Sequence, residues 1–204
     1  MTIKISAMSA ASALGGTEKI ECVQSSATAY LTPAQIETYI AGLGRTFAKD
    51  AGLWWPLASS AVGVSCPADT SEDTLATITV PAGAMGANGM LRIWTLWTMT
   101  SSANSKTMKT HFGGVGGPAY MNLSGFASTS AFQGVTMIRN RNSQSSQIGY
   151  TPGASSGLSS NASSNLTSSQ DTSTSQDIVI TGQKASSGET LTLEAYTVEL
   201  YYKA

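Results

Sequence analysis

Charged side chains are scarce in this chain. Lysine, arginine, aspartate and glutamate make up 11% of its 204 residues, against roughly a quarter in an ordinary globular protein. The net charge is -1 at pH 7, and no basic stripe alternates with aromatic residues, so we predict no binding of nucleic acid. Serine, threonine, glycine and alanine fill the deficit, which predicts a surface that is polar but carries little charge.

Histidine, cysteine and long apolar runs are scarce as well. No run of 18 apolar residues occurs, and the start of the chain lacks the apolar core of a secretory signal. We therefore expect neither membrane insertion nor Sec-dependent export, and synthesis in a reducing cytoplasm. Cys22 and Cys66 are predicted to be free thiols there. One histidine and two separated cysteines predict no metal site, and no cofactor is expected.

Three patterns suggest catalysis or ligand binding, and each has a simpler structural explanation. His111 has no acid or nucleophile motif near it in the sequence, so we interpret it as structural. Gly114 to Ala119 match a relaxed dinucleotide fingerprint, but no helical period follows and a loop is predicted. Glu72 and Asp73 are assigned to a turn, since the framework of a calcium loop is missing. The sequence predicts a protein that is not an enzyme.

The N-terminal residues 1–45 contain a small module with its own structural signals. Two strands are predicted at residues 18–24 and 28–31, followed by a helix with Thr32 as N-cap, Pro33 at the first position and Gln35 completing a capping box. The helix carries an apolar stripe and stops at Gly44. Two strands and one helix bury too little surface to be stable alone, so we expect the module to bind a partner.

The motifs of this module resemble those of a known group of proteins. The order G-G-T-E (residues 15–18), apolar strand, serine/threonine reversal, L-T-P-A-Q-I (residues 31–36) and helix is similar to a segment near the start of bacteriophage virion proteins, especially head-fibre, decoration and tail-fibre proteins. There it is thought to attach an appendage to the particle. The resemblance implies a virion location and docking on a capsid, portal, neck or tail protein. The residues expected in this attachment interface are Ile20, Cys22, Val23, Tyr30, Ile36, Tyr39, Ile40 and Leu43.

The remaining residues, 46–204, have the pattern of a β domain. We predict an antiparallel, jelly-roll-like β-sandwich, because strand signals recur between clusters of glycine, asparagine and serine. The stretch at 90–100 is apolar on both faces, which favours a core position or a seam between subunits. The predicted strands are residues 75–80, 90–100, 107–112, 132–140, 147–150, 177–183 and 190–202.

Three segments between these strands are predicted to be irregular. Phe47 to Leu57 is interpreted as a linker whose tryptophans pack under the main sheet. Pro81 to Gly89 has the composition of a turn. Ser155 to Ser175 is low in complexity and too polar to form a core, so a mobile loop is expected. The fold class is therefore mainly β, a sandwich preceded by a hairpin and one helix. The V-P-A-G turn (residues 80–83) and the strands N-G-M-L-R-I-W-T-L-W (88–97) and T-L-E-A-Y-T-V-E-L (192–200) resemble the globular part of phage capsid- or tail-associated fibre proteins.

A polar group at a predicted hairpin tip is the one candidate for ligand recognition in the sandwich. It consists of Arg139, Asn140, Arg141 and Asn142, and Tyr150 is near in sequence. Planar donors beside an aromatic ring are suited to a host surface glycan. The alternative is a turn whose asparagines accept positive φ and whose arginines keep a sheet edge soluble.

These observations lead to one hypothesis and one alternative. The hypothesis is a non-enzymatic virion structural protein of a tailed phage, anchored by its N-terminal module. It is expected to form a homo-oligomer through the sandwich, because a low-charge surface with an exposed apolar stripe is costly for a monomer. The resemblance to phage fibre and decoration proteins implies a trimer. The alternative is a tip protein that binds a receptor or glycan.

Overall fold

A computed structural model describes residues 20–24, 27–31, 54–151 and 164–203. The chain forms two compact units, Met1–Phe47 and Ala48–Ala204. The predicted division into residues 1–45 and 46–204 stays a prediction. The predicted helix, with Ile36, Tyr39, Ile40 and Leu43, lies outside the described residues.

The first unit contains a β-hairpin. Strand β1 (Ile20–Gln24) pairs antiparallel with β2 (Ala27–Leu31), from Ile20 opposite Leu31 to Gln24 opposite Ala27. Both strands overlap the predicted ones, and the two residues between them are those expected to form the reversal.

The second unit is built from two antiparallel sheets. One has seven strands in the order β11-β10-β9-β6-β13-β3, with β4 also pairing with β13, and the other has four in the order β5-β12-β7-β8. The seven predicted strands are all present, with ends that differ by at most three residues. The strands are β3 (Trp54–Ser60), β4 (Val64–Ser65), β5 (Glu72–Val80), β6 (Met90–Met99), β7 (Lys106–Phe112), β8 (Ala119–Leu123), β9 (Ala131–Asn140), β10 (Gln147–Thr151), β11 (Ser164–Ser168), β12 (Gln176–Lys184) and β13 (Leu191–Tyr201).

The pairing of these strands is that of a jelly roll. Strand β3 pairs with β13, β5 with β12, β6 with β9 and β7 with β8, so early strands pair with late ones in nested order. Contacts of β6 with β13 and of β7 with β12 then complete the two sheets. The β10–β11 hairpin extends the larger sheet beyond β9. This arrangement confirms the predicted antiparallel sandwich.

The core lies between the two sheets, where alternate residues of each strand face inward. On β6 the inward residues Leu91, Ile93 and Trp97 are fully buried, and on β12 Ile178 and Ile180 are fully buried. This period of two is the pattern expected of strands with one face on a core.

Two predicted irregular segments contain strands. Trp54-Trp55-Pro56 was predicted to be a linker, but it begins β3, the edge strand beside β13. An edge strand accepts Pro56 because one side of it needs no ladder hydrogen bond. The low-complexity segment was predicted to be a loop, but Ser164–Ser168 forms β11, which pairs with β10. Leu166 packs partly against the core, which gives this polar strand an anchor.

The turn predicted at Glu72 and Asp73 is also wrong, because both residues lie in β5 and pair with Gln183 and Gly182 of β12. Strand β8, Ala119–Leu123, is absent from the predicted strands although Tyr120, Met121 and Leu123 are buried. Its pairing with β7 shifts register between Thr110 and His111, and such an irregularity hides the alternation in the sequence.

Candidate functional site

The outer face of the seven-stranded sheet exposes apolar side chains at its centre. Trp94 and Leu96 of β6 are 36% and 43% exposed, while their neighbours on the strand point into the core. Strand β6 lies between β13 and β9, so the two side chains are far from the sheet edges. The strand predicted to be apolar on both faces thus has one face in the core and one on the surface. We call this surface the aromatic face; its main residues are Trp54, Arg92, Trp94, Leu96, Glu199 and Tyr201.

Arg92 links the aromatic rings of this face. Its guanidinium carbon lies 4.2 Å from the centre of the Trp54 ring and 6.0 Å from that of Trp94. Its Nε donates to Glu199 Oε2 at 2.6 Å, and the Trp54 ring lies 5.6 Å from that of Tyr201. A partly exposed ion pair contributes at most about 1 kcal/mol and a cation–π contact about the same. The main consequence of the array is to hold the rings in fixed positions.

A shallow groove of about 190 Å³ lies next to Trp94. Leu96 and Tyr196 contribute apolar walls, and Gln133 and Thr197 contribute polar groups. The groove adds relief to an otherwise flat sheet surface, which is a feature of surfaces that pack against another protein.

The residue types of the two sheets differ sharply. All four tryptophans of the chain lie in the seven-stranded sheet, on β3 and β6. Its strands contain no lysine, whereas the four-stranded sheet contains Lys106, Lys109 and Lys184. Tryptophan, tyrosine, methionine and arginine are enriched in protein interfaces, and lysine is depleted. Trp97 belongs to the core, whereas Trp54 and Trp94 lie on the outer face together with Arg92 and Tyr201. The outer face of the larger sheet therefore has residue types that are typical of an interface.

The outer face of the four-stranded sheet carries a compact group of charged and polar side chains. Glu72 Oε1 accepts a hydrogen bond from Thr181 Oγ1 at 2.6 Å and lies 3.1 Å from His111 Nε2. Lys109 donates to the other oxygen of Glu72. Burial alone would raise the pKa of Glu72, but hydrogen bonds from Lys109, Thr181 and His111 outweigh it and lower that pKa from 4.5 to about 2. Glu72 is thus held as a carboxylate.

His111 is enclosed by acceptors on both sides of its ring. Its Nδ1 lies 3.0 Å from the carbonyl oxygen of Gly117, and its Nε2 faces Glu72. Both ring nitrogens are therefore in contact with groups of the protein. The acidic neighbour, Glu72, lies on β5, and the sequence alone did not place it near His111. The buried hydroxyl of Thr181 also donates to the Glu72 carboxylate. These contacts join β5, β7 and the loop before β8, which agrees with the interpretation of His111 as structural.

Two lysines are buried at one end of the sandwich. Lys106 Nζ lies 2.8 Å from Glu189 Oε2 and also donates to Ser102 Oγ. Hydrogen bonds from Lys106, Ser102 and Asn104 lower the pKa of Glu189 to about 2. The contact gives the buried side chain of Lys106 an acidic partner in the same chain.

Lys184 is the second buried lysine, and backbone oxygens hold it. Its Nζ donates to the carbonyl oxygens of Pro67 at 2.6 Å and Glu189 at 2.9 Å. Cys66 lies close by as a free, buried thiol, and burial raises its pKa to about 11. A thiol in this state is a poor nucleophile, which agrees with the free thiol predicted at Cys66. The side chain of Cys22 lies outside the described residues.

The predicted glycan-binding group is distributed over a strand end and a turn. Asn140 ends β9 and is 5% exposed. Its amide donates to the Gly86 carbonyl oxygen at 2.6 Å and to Thr172 Oγ1 at 2.9 Å, and it accepts from Gln147 Nε2. Asn140 is therefore engaged inside the protein.

The other members of that group differ in exposure. Asn142 lies in the turn after β9 with φ of 53°, a conformation that asparagine tolerates better than most residues. Arg139 and Arg141 are exposed, and Tyr150 on β10 is half-buried. A role of this group in glycan binding stays a prediction.

Four of the predicted attachment residues lie in the β1–β2 hairpin. Ile20, Cys22 and Val23 belong to β1, and Tyr30 belongs to β2, where it pairs with Glu21. A role of these residues in attachment stays a prediction.

The described part of the chain contains neither a metal cluster nor a membrane-spanning helix. Within residues 54–151 and 164–203 and the hairpin, no three histidine, cysteine, aspartate or glutamate residues are grouped to bind a metal ion. No helix among the described residues is long and apolar enough to cross a membrane.

The solved structures similar to this chain include two of infectious bursal disease virus. No family model matches the sequence, and no curated protein matches it. The chain is similar to the structure of the Gx strain, with 10% identity over 91% of this chain and 46% of that chain and a TM-score of 0.29. It is also similar to the VP2 subviral particle, with 10% identity over 96% of this chain and 49% of that one and a TM-score of 0.23.

The chain spans about half the length of both solved structures. Function is therefore inferred from the residues of this chain.

Proposed function

We propose that this protein is a non-enzymatic structural protein of a tailed bacteriophage virion, a head-fibre, decoration or tail-fibre-type appendage. Residues 1–45 anchor it to another virion protein, and the β-sandwich forms a homotrimer. The protein is made in the cytoplasm of the host bacterium and has its function on the particle.

The observation that carries the proposal is the short module at the start of the chain. Its G-G-T-E and L-T-P-A-Q-I motifs resemble those of phage appendage proteins, and the hairpin between the two motifs belongs to a unit of its own. A unit of this size buries too little apolar surface to be stable by itself. Attachment to a partner gives its apolar residues a place to be buried.

The charged groups of the sandwich support a structural role. Glu72, Lys109 and His111 contact one another, and Lys106 contacts Glu189. Each of these groups satisfies another group of the protein. An enzyme needs a nucleophile or a base directed at a substrate, and these contacts stabilise the fold instead.

Deletion of residues 1–45 tests the attachment. We expect the remaining chain to fold as a sandwich and to be absent from particles, as measured by far-UV circular dichroism and by quantitative mass spectrometry of purified virions. Ile36→Asp and Ile40→Asp should reduce the copy number, because each places a charge in an apolar contact. Thr38→Asp, on the opposite side of the predicted helix, is the matched control and should leave it unchanged. Wild-type copy numbers for the truncated protein would contradict the proposal.

The alternative function is binding of a receptor or glycan at the turn after β9. The exposed side chains of Arg139 and Arg141 favour this alternative. Asn140 does not, because its amide is hydrogen-bonded to the Gly86 carbonyl oxygen within the protein. Binding of the full chain on a glycan array, lost in Arg139→Ala and Arg141→Ala variants, would establish this alternative.

A further inference from the structure

We propose that the aromatic face is the surface through which copies of this chain bind one another. The inference rests on the proposed function, because it names the part of the sandwich that forms the oligomer. The occupant of the face is a second copy of the chain.

The position of the exposed apolar residues is the first argument. Trp94 and Leu96 lie on β6, which is hydrogen-bonded on both sides by β9 and β13. The half-buried residues around them on the same face are Met90 of β6 and Val135 and Met137 of β9. A contiguous apolar surface at the centre of a sheet favours burial against another protein. Large aromatic residues at the centre of such a surface contribute most of the binding free energy.

The charges of the sheet favour a copy of the same chain as partner. Its seven strands contain four charged residues, two of each sign: Arg92, Arg139, Glu194 and Glu199. Arg92 and Glu199 form an ion pair, and Glu194 accepts from Thr98 on the outer face. A surface without net charge meets its own copy without repulsion, whereas a strongly charged surface would need a partner of opposite sign.

The size of the face is sufficient for a specific contact. Strands β6, β9 and β13 have 10, 10 and 11 residues. The flanking strands β10 and β3 have 5 and 7 residues. At about 3.3 Å per residue and about 4.8 Å between strands, these five strands cover roughly 700 Å². A stable protein contact buries about 600–1,000 Å² on each partner. One sheet face therefore meets this requirement.

The remaining surfaces of the sandwich are less suitable. The outer face of β5 exposes Thr74, Thr77 and Thr79, and the charges beside them on β7 are paired with Glu72. The edge strand β3 contains Pro56, which cannot donate to a neighbouring strand. Self-association through the polar sheet or through this edge would bury satisfied polar groups for little apolar gain.

The test measures the mass of the full-length chain in solution by sedimentation and light scattering over a range of concentrations. We expect a multiple of the 21.0 kDa chain mass. Trp94→Glu and Leu96→Glu should each raise the dissociation constant roughly 30-fold or more. Thr77→Glu introduces the same charge at an exposed strand position on the other sheet, and its mass should equal that of the wild type.

Milder variants keep the test valid if a glutamate prevents folding. Trp94→Thr and Leu96→Thr retain β propensity, and they should weaken association while the circular dichroism spectrum stays that of the wild type. A wild-type chain that is monomeric at micromolar concentrations would overturn the inference. An oligomer whose mass is unaffected by these variants would overturn it as well, because the contact would then lie elsewhere.

The inference and the proposed function fail in different experiments. If the wild-type chain is monomeric in solution and still present on virions, the self-association is wrong and the proposed attachment stands. A protein that is oligomeric in solution and absent from wild-type particles would remove the virion role and leave the aromatic face as a homomeric contact. Binding of a glycan by a monomeric chain, lost in Trp94→Thr, would replace the second copy with a sugar as the occupant.

Discussion

The outer faces of the two sheets differ in polarity and in whether their side chains have partners within the chain. The four-stranded sheet places Glu72 against Lys109, His111 and Thr181, so its polar groups satisfy one another. The seven-stranded sheet places Trp94 and Leu96 on its surface. One face is complete in the single chain, and the other leaves apolar surface in contact with water. In the proposed oligomer, the smaller sheet contributes stability and the larger sheet contributes the contact between copies.

The polar contacts of the smaller sheet and its connecting loops give the largest expected effect. Lys184→Met keeps the side-chain volume and removes the donor to the carbonyl oxygens of Pro67 and Glu189. Removing two hydrogen bonds from a charged donor to partly buried carbonyl groups should lower the free energy of unfolding by roughly 3 kcal/mol. The melting temperature should then fall by about 6–12 °C, as measured by differential scanning calorimetry. Lys203→Met, at an exposed position, is the control, and equal melting of both variants would show that the buried ammonium is dispensable.

The response to acid distinguishes the two sheets at an intermediate level. The pKa of Glu72 is about 2 in the folded protein, below its ordinary value of 4.5. A carboxyl with a lowered pKa stabilises the fold fully above pH 4.5, and that contribution is lost as the pH falls through about 2. Because Glu72 is partly exposed, we expect on the order of 1 kcal/mol after solvent screening.

Denaturant titrations between pH 7 and pH 2 measure this contribution. Glu72→Gln should be less stable than the wild type at pH 7, and the difference should shrink as the pH falls from 4.5 to 2. Some pH dependence will remain, since the pKa of Glu189 is lowered to about 2 as well. Glu194→Gln makes the same change on the larger sheet and is the matched control for the loss of one carboxylate. A constant difference between Glu72→Gln and the wild type would refute the ion-pair account.

The smallest effect on the single chain is expected at the aromatic face. In dilute solution, where the chain is monomeric, Trp94→Thr should change the free energy of unfolding by no more than about 0.5 kcal/mol. At high concentration the melting temperature of the wild type should rise with concentration, because association stabilises the folded state, and that of Trp94→Thr should not. Thr77→Val, on the other sheet, should behave like the wild type. A large loss of stability of Trp94→Thr in dilute solution would show that Trp94 stabilises the single chain.

Local patterns were sufficient for most strands of the sandwich. The alternation in Met90–Met99 and Leu191–Tyr201 and the turn signals between them predict two long strands, because an antiparallel strand with one face on a core repeats every two residues. The turn at Pro81 to Gly89 was predicted as well. Gly83 and Gly86 have φ of 67° and 69° there, in a region that glycine enters without strain.

Sequence patterns failed where distant residues determine the local conformation. Glu72 and Asp73 looked like turn residues because their partners Gln183 and Gly182 lie more than a hundred positions away. The strand at Ser164–Ser168 looked like a loop, but Ser168 Oγ donates to Gln147 Oε1 and accepts from the hydroxyl of Tyr120. Such contacts supply what the polar sequence lacks in apolar burial.

The candidate surface was predicted in part. The two-sided apolar pattern of 90–100 indicated a core position or a seam, without deciding between them. Arg92, Glu199 and Trp54 could not be grouped beforehand, because they come from three strands separated by up to 145 positions in the chain. Asn140 was predicted in an exposed group, but Gly86, Thr172 and Gln147 enclose it once the sheets have formed.

The class of the fold, the strand positions and the low charge of the surface follow from the amino-acid sequence, because they depend on local periodicity and composition. Which face of each strand is buried, which charges meet and where apolar surface stays exposed follow from the tertiary structure. These features depend on strand order, and nested pairing of early with late strands brings together residues that no local pattern connects. The aromatic face exists only because β13, β6 and β9 lie side by side in one sheet.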